Sequence, residues 1–106
     1  MRVLVTGAAG YLGRDVCHIL AESGIDVLAT DQNLRHRLPV PMRVANLLDR
    51  FACYQILEGV DIVVHLAGHP RDYTPSIQLG LTENVTLTTN LLQAGVEQGV
   101  RRFLFA

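Results

Sequence analysis

Short β-branched and apolar runs alternate with longer stretches of helical periodicity along this whole 106-residue chain, and that rhythm admits very few folds. The runs are apolar at nearly every position, as in "RVLVT" and "DIVVHLA". Strands of that kind are buried on both faces, which requires a parallel sheet covered by helices. Strand one spans residues 2–6, and a glycine-rich turn leads into a helix over about 11–23, with Gly24 as its C′ residue. Strand two follows at 26–30. The polar loop "DQNLRHRLPVP" carries Pro39 and Pro41, so it is expected to be extended, and it delivers strand three at 42–45. Asp49 is placed to cap a helix running to about 58, which Gly59 closes. Strand four is "DIVVHLA". After the loop "GHPRDYTPS" the longest helix covers roughly 76–98, although Gly80 and Gly95 inside it each cost about 1 kcal/mol against Ala. Gly99 ends it, and "VRRFLFA" forms the last strand. The ranges named are five strands and three helices. Right-handed crossovers make a doubly wound α/β sheet of order 3-2-1-4-5 the economical topology.

The length suits a single domain, because at this size folding buries only about two-thirds of the unfolded chain's surface. Residues 1–106 are therefore read as one Rossmann-type domain that stops after its fifth strand. With 49% hydrophobic and 18% charged residues the chain has material for a core and too little charge for a disordered tail. A net charge of −1 with scattered arginines leaves no basic stripe to neutralise a phosphate backbone, which argues against nucleic acid as a partner. Cys17 and Cys53 fall in predicted helices without CxxC or Cys/His spacing, so no metal site is expected and both are read as reduced thiols of a cytoplasmic protein. The N-terminal apolar run is too short for a signal peptide, and no run approaches membrane-spanning length, so no membrane partner is expected.

The segment "VLVTGAAGYLG" sets Gly7, Gly10 and Gly13 between a strand and a helix, directly after Thr6. There a dinucleotide's pyrophosphate would meet free backbone N–H groups and the positive end of a helix dipole. Gly7 allows the tight turn, Gly10 removes a side chain that would block the pyrophosphate, and Gly13 lets helix and strand pack closely. Asp31 stands at the end of strand two, eighteen residues after Gly13, where a carboxylate accepts bonds from the adenosine ribose hydroxyls. A carboxylate there repels a 2′-phosphate, so NAD is expected over NADP. Arg35 and Arg37 lie close by and are read either as a counterweight to that repulsion or as a solvated loop.

Together with "ANLLD", "VVHLAG" and "ENVTLTTNLLQAGVEQGVRRFLFA", these motifs resemble the NAD-dependent epimerase/dehydratase family, the extended short-chain dehydrogenase/reductases, along the whole chain. The resemblance implies an NAD-binding Rossmann half from an enzyme acting on nucleotide sugars or related carbohydrates. It places the backbone of Tyr11 and Leu12 beside the pyrophosphate and Asp31 on the ribose. It sets Asn46 and Leu47 at the adenine, and Leu66, Ala67 and Gly68 along the cofactor. Asn46 stands where the family usually has Asp, and its amide oxygen can still accept the adenine amino group. Asn84 is read either as a residue near the nicotinamide or as a polar residue on the helix surface. His65 and His69 flank the cofactor edge of strand four and are given no catalytic role. Arg71, Asp72 and Tyr73 fall where a loop borders substrate in the family, or in a solvated turn.

Such enzymes transfer hydride with a Tyr-x-x-x-Lys pair, and this sequence contains no lysine; four residues after Tyr11, Tyr54 and Tyr73 stand Asp15, Glu58 and Ile77. No catalytic residue is assigned. The expectation is an NAD-binding module that is catalytically incomplete alone. A nucleotide-independent interaction module and one half of a split enzyme are the alternatives. An unpaired edge on the fifth strand is expected to drive homo-oligomerisation.

Overall fold

A computed structural model of the chain describes residues 1–33, 37–69 and 76–106. Five strands, β1 (Arg2–Thr6), β2 (Asp26–Asp31), β3 (Met42–Val44), β4 (Ile62–His65) and β5 (Arg102–Phe105), form one sheet in the order β3-β2-β1-β4-β5. Every pairing is parallel. The doubly wound topology expected from the alternation is the one observed.

Three helices, in the three segments the periodicity marks, accompany them among the described residues: α1 (Tyr11–Glu22), α2 (Arg50–Ile56) and α3 (Ile77–Gln98). Between β2 and β3 the described part of the link is non-helical, as expected for a segment carrying Pro39 and Pro41. Alternation along β1 sends Val3 and Val5 against Cys17 of α1, whereas Leu4 joins Ile56 of α2 and Leu91 of α3 on the opposite face. Those two layers are the core.

The predicted punctuation holds. The Asp49 carboxylate accepts the Phe51 N–H at 2.9 Å, and the Ser76 hydroxyl accepts that of Leu79 at 3.1 Å. Gly24, Gly59 and Gly99 all adopt positive φ at helix exits. Gly95, expected to weaken α3, has a packing reason, since a Cβ there would lie 2.2 Å from the Phe103 ring.

The elements are trimmed where backbone groups find other partners. Strand four ends at His65 because Leu66 and Ala67 turn their N–H groups to the Thr6 hydroxyl at 3.0 and 3.1 Å. The last strand begins two residues late because Val100 donates to the Gly95 carbonyl, closing α3. Register then aligns Thr30, Thr6, His65 and Phe105 across the carboxyl ends of four adjacent strands. Ligands of open α/β sheets bind outside that edge, where the strand order reverses between β1 and β4.

Candidate functional site

The loop between β1 and α1 is held to the end of β2 by two bonds. Ala8 donates to the Thr30 carbonyl at 3.1 Å, and Ala9 donates to the Asp31 carboxylate at 3.0 Å. Asp31 also accepts from Gln32 at 2.7 Å. A carboxylate offers about four acceptor positions, so Asp31 fixes the loop and keeps capacity for a ligand.

The three glycines differ in what confines them. Gly7 has φ 68°, and a Cβ on it would meet the Leu66 carbonyl carbon at 2.6 Å; a Cβ on Gly13 would sit 2.1 Å from the Gly7 oxygen. At Gly10 the nearest atom would be 3.4 Å away, an ordinary contact, and its φ of −76° suits any residue. The protein's own packing therefore explains Gly7 and Gly13, and leaves Gly10 unexplained. Gly10 is also the N-cap of α1, with no side chain to accept from the first turn and no acidic residue there. Of the three described helices, α1 alone lacks a side-chain cap. Its N–H groups and dipole point to the space an anion would take.

Two adjoining cavities follow the carboxyl edge. The first, about 100 Å³, is lined by Gly7, Asp31, Leu47, Ala67 and Gly68 of the predicted residues, joined by Thr30 and Leu87, which were not predicted. The second, about 500 Å³, is lined by Leu66, Asn84, Thr88 and Phe105. Ala67, Gly68 and His69 border both, so the two spaces form one track across the top of the sheet.

The remaining predicted residues sit differently. Tyr11 and Leu12 are 87% and 55% exposed, and the Tyr11 ring lies over the Arg14 guanidinium, so only their backbone faces the anion position. Asn46 is exposed and lines neither cavity; its side-chain oxygen accepts the Leu48 N–H at 3.1 Å. Asn84 is partly buried on α3. It clamps the exit of β4 by accepting from the His69 N–H at 2.6 Å and donating to the His69 carbonyl at 3.1 Å. Arg35, Arg71, Asp72 and Tyr73 lie outside the described residues.

Thr6 is fully buried. Its oxygen accepts from Leu66 and Ala67, so its hydrogen goes to His65 Nδ1 at 2.7 Å, and the other ring nitrogen donates to Thr88 at 2.9 Å. That assigns a neutral Nε2–H tautomer, and burial pushes the His65 pKa below its ordinary value. His65 is thus a cross-brace beneath the track. His69 Nε2 lies 2.9 Å from the Glu83 carboxylate, both partly buried, a pairing that sequence spacing did not indicate. The two cysteines are free and buried; burial, aided by Asp49, pushes Cys53 up to about 11, which suits packing and not nucleophilic chemistry.

This geometry agrees with what the chain is similar to. The sequence profile described as "NAD dependent epimerase/dehydratase family" matches residues 3–106. A UDP-glucose 4-epimerase of Schizosaccharomyces pombe is 31% identical over 98% of this chain and 34% of its own length. A short-chain dehydrogenase/reductase superfamily protein from Agrobacterium tumefaciens, solved with bound NAD, superposes with a TM-score of 0.88 at 32% identity, over 99% of this chain and 32% of that one. The Thermus thermophilus UDP-glucose 4-epimerase complex with NAD gives 0.83 at 26% identity, over 97% of this chain and 36% of that one. The chain thus spans about a third of the length of these relatives.

Proposed function

The chain belongs to the NAD dependent epimerase/dehydratase family, and from that membership we propose that it is an NAD(H)-binding Rossmann module of a sugar or nucleotide-sugar epimerase, dehydratase or dehydrogenase. The observation that carries this reading is Gly10, the one loop glycine with room for a Cβ, at the only described helix start without a side-chain cap. Protein packing does not require a glycine there; a bound pyrophosphate does.

In this reading the Tyr11 and Leu12 N–H groups hold the pyrophosphate, and Asp31 takes the adenosine ribose and disfavours NADP. Leu47 packs on the adenine, with Asn46 at its rim. Leu66, Ala67 and Gly68 line the path beyond β4 to Asn84 at the nicotinamide end, while Thr6 and Gly7 shape the floor. When bound, NAD supplies the hydride acceptor or donor. The chain's own residues contribute binding and orientation. A lysine is absent from these 106 residues, so no Tyr-x-x-x-Lys pair assembles within them, and the module is catalytically incomplete by itself. A cytoplasmic setting belongs to the same reading and is supported by the two unpaired buried thiols.

Calorimetric titration of NAD and ADP-ribose should give saturable binding with Kd of roughly 0.1–1 mM, similar for both ligands because most contacts are to the ADP half. Gly10→Ala should fold normally and lose at least about tenfold in affinity. A folded wild-type chain that gives no saturable heat would refute the proposal.

A second property is favoured by β5, an outer strand on which Leu104 and Phe105 are each at least half exposed. We propose that this edge pairs with a second copy of the chain. Sedimentation velocity at tens of micromolar should show a dimer or larger species; a single monomer boundary over the whole concentration range would exclude it.

A further inference from the structure

One buried polar atom at the floor of the first cavity has no partner. The Thr30 side chain is fully buried, and its hydroxyl is the one buried side-chain polar atom without a hydrogen bond among the described residues. Its ladder neighbour Thr6 cannot relieve it, because that hydroxyl already donates to His65 and accepts from Leu66 and Ala67. The nearby loop N–H groups are also committed, Ala8 to the Thr30 carbonyl and Ala9 to Asp31. A buried hydroxyl left in this state is a standing penalty that valine, of the same shape, would avoid.

Position supplies the reason for it. Thr30 lines the same cavity as Asp31 and Leu47, the residues assigned above to the ribose and the adenine. We propose that the Thr30 hydroxyl is a specificity contact for the adenosine moiety of the bound dinucleotide, making its hydrogen bond only when that moiety fills the cavity. The inference rests on the dinucleotide reading and adds a residue to it. Because the hydroxyl is stripped of water before the ligand arrives, pairing it brings affinity without a fresh desolvation cost on the protein side. It also favours a ligand with a polar group at that depth over an apolar one of equal size, which would leave the hydroxyl unpaired.

The test pairs thermal unfolding of the ligand-free chain with calorimetric titration of ADP-ribose, using wild type, Thr30→Val and Thr30→Ser. Valine keeps the β-branched shape and removes only the oxygen, so the ligand-free chain should melt at or above the wild-type temperature while ADP-ribose binds about tenfold more weakly. Serine restores the oxygen and should recover most of that affinity. Equal affinity of wild type and Thr30→Val would overturn the proposal, making the hydroxyl a buried burden only. A Thr30→Val chain that melts lower, with no recovery of binding in serine, would overturn it as well by showing a structural role. A folded wild type that does not bind ADP-ribose removes the dinucleotide reading, and this contact with it, and is told apart from the other outcomes by the wild-type titration alone.

Discussion

Gly13→Ala should cost the folded chain about 3 kcal/mol or more, lowering its thermal midpoint by at least about 12 °C at this chain length. The new Cβ would stand 2.1 Å from the Gly7 carbonyl oxygen and 2.8 Å from the Ala8 Cα. Neither atom is the free end of a side chain. Relief would require the loop to lift from the end of β2, breaking the bonds from Ala8 to Thr30 and from Ala9 to Asp31. Against a total stability of order 5–15 kcal/mol that is a large fraction. Gly10→Ala three residues earlier is the internal control: its Cβ meets nothing closer than 3.4 Å, and at an unstrained φ the loss of unfolded-state freedom stabilises slightly. The two substitutions, read by circular dichroism melts, should therefore differ in sign. A Gly13→Ala chain that melts within a degree or two of wild type would disprove the tight packing of the loop.

That contrast also shows what the sequence could carry. The spacing of the glycines, the strand before them, Asp31 after them, the β/α alternation that sets the topology and the Asp49 cap are local or periodic signals, whereas Leu47 at the cavity comes from the family resemblance. The role expected for Gly13, close packing of helix on strand, shifts by one contact: its neighbour is the loop carbonyl of Gly7. Sequence spacing indicates that a Cβ is excluded without indicating by what. The structure divides the three glycines into two that the packing of the fold confines and one that it does not.

Other parts of the site depend on register, which no local pattern encodes. Thr6 meets His65 across 59 positions, and His65 meets Thr88 across a further 23. Their bracing of the β4 exit exists only because β1 and β4 pair with Thr6 opposite His65. Asn84 and Glu83 reach His69 by the same kind of long-range coincidence, set by how α3 lies over the strand ends. Asn46 lines neither cavity for a local reason that the sequence did contain: an Asn side chain readily accepts the N–H two residues on, and here it does so with Leu48.

Asp31→Ala should abolish saturable binding of both NAD and ADP-ribose in the concentration range where wild type saturates. Two charge-assisted bonds to ribose hydroxyls at about 1.5–3 kcal/mol each amount to a loss of about a hundredfold or more, and the Ala9 N–H loses its acceptor at the same time. The second loss loosens the loop between β1 and α1, so the alanine variant alone does not separate ribose recognition from loop order. Asp31→Asn does. It keeps a side-chain oxygen for Ala9 and removes only the charge, so NAD should weaken by about tenfold while the loop stays in place. Selectivity is the sharper readout. In wild type the carboxylate repels a 2′-phosphate, and NADP should bind at least about tenfold more weakly than NAD; in Asp31→Asn that gap should close, because NADP gains from the lost repulsion what NAD loses in hydrogen bonding. Arg37, read from sequence either as a counterweight to that repulsion or as part of a solvated loop, is exposed. If wild type prefers NADP, or if Asp31→Asn leaves the NAD preference intact, the basic loop after β2 decides selectivity, and the carboxylate serves only to hold Ala9.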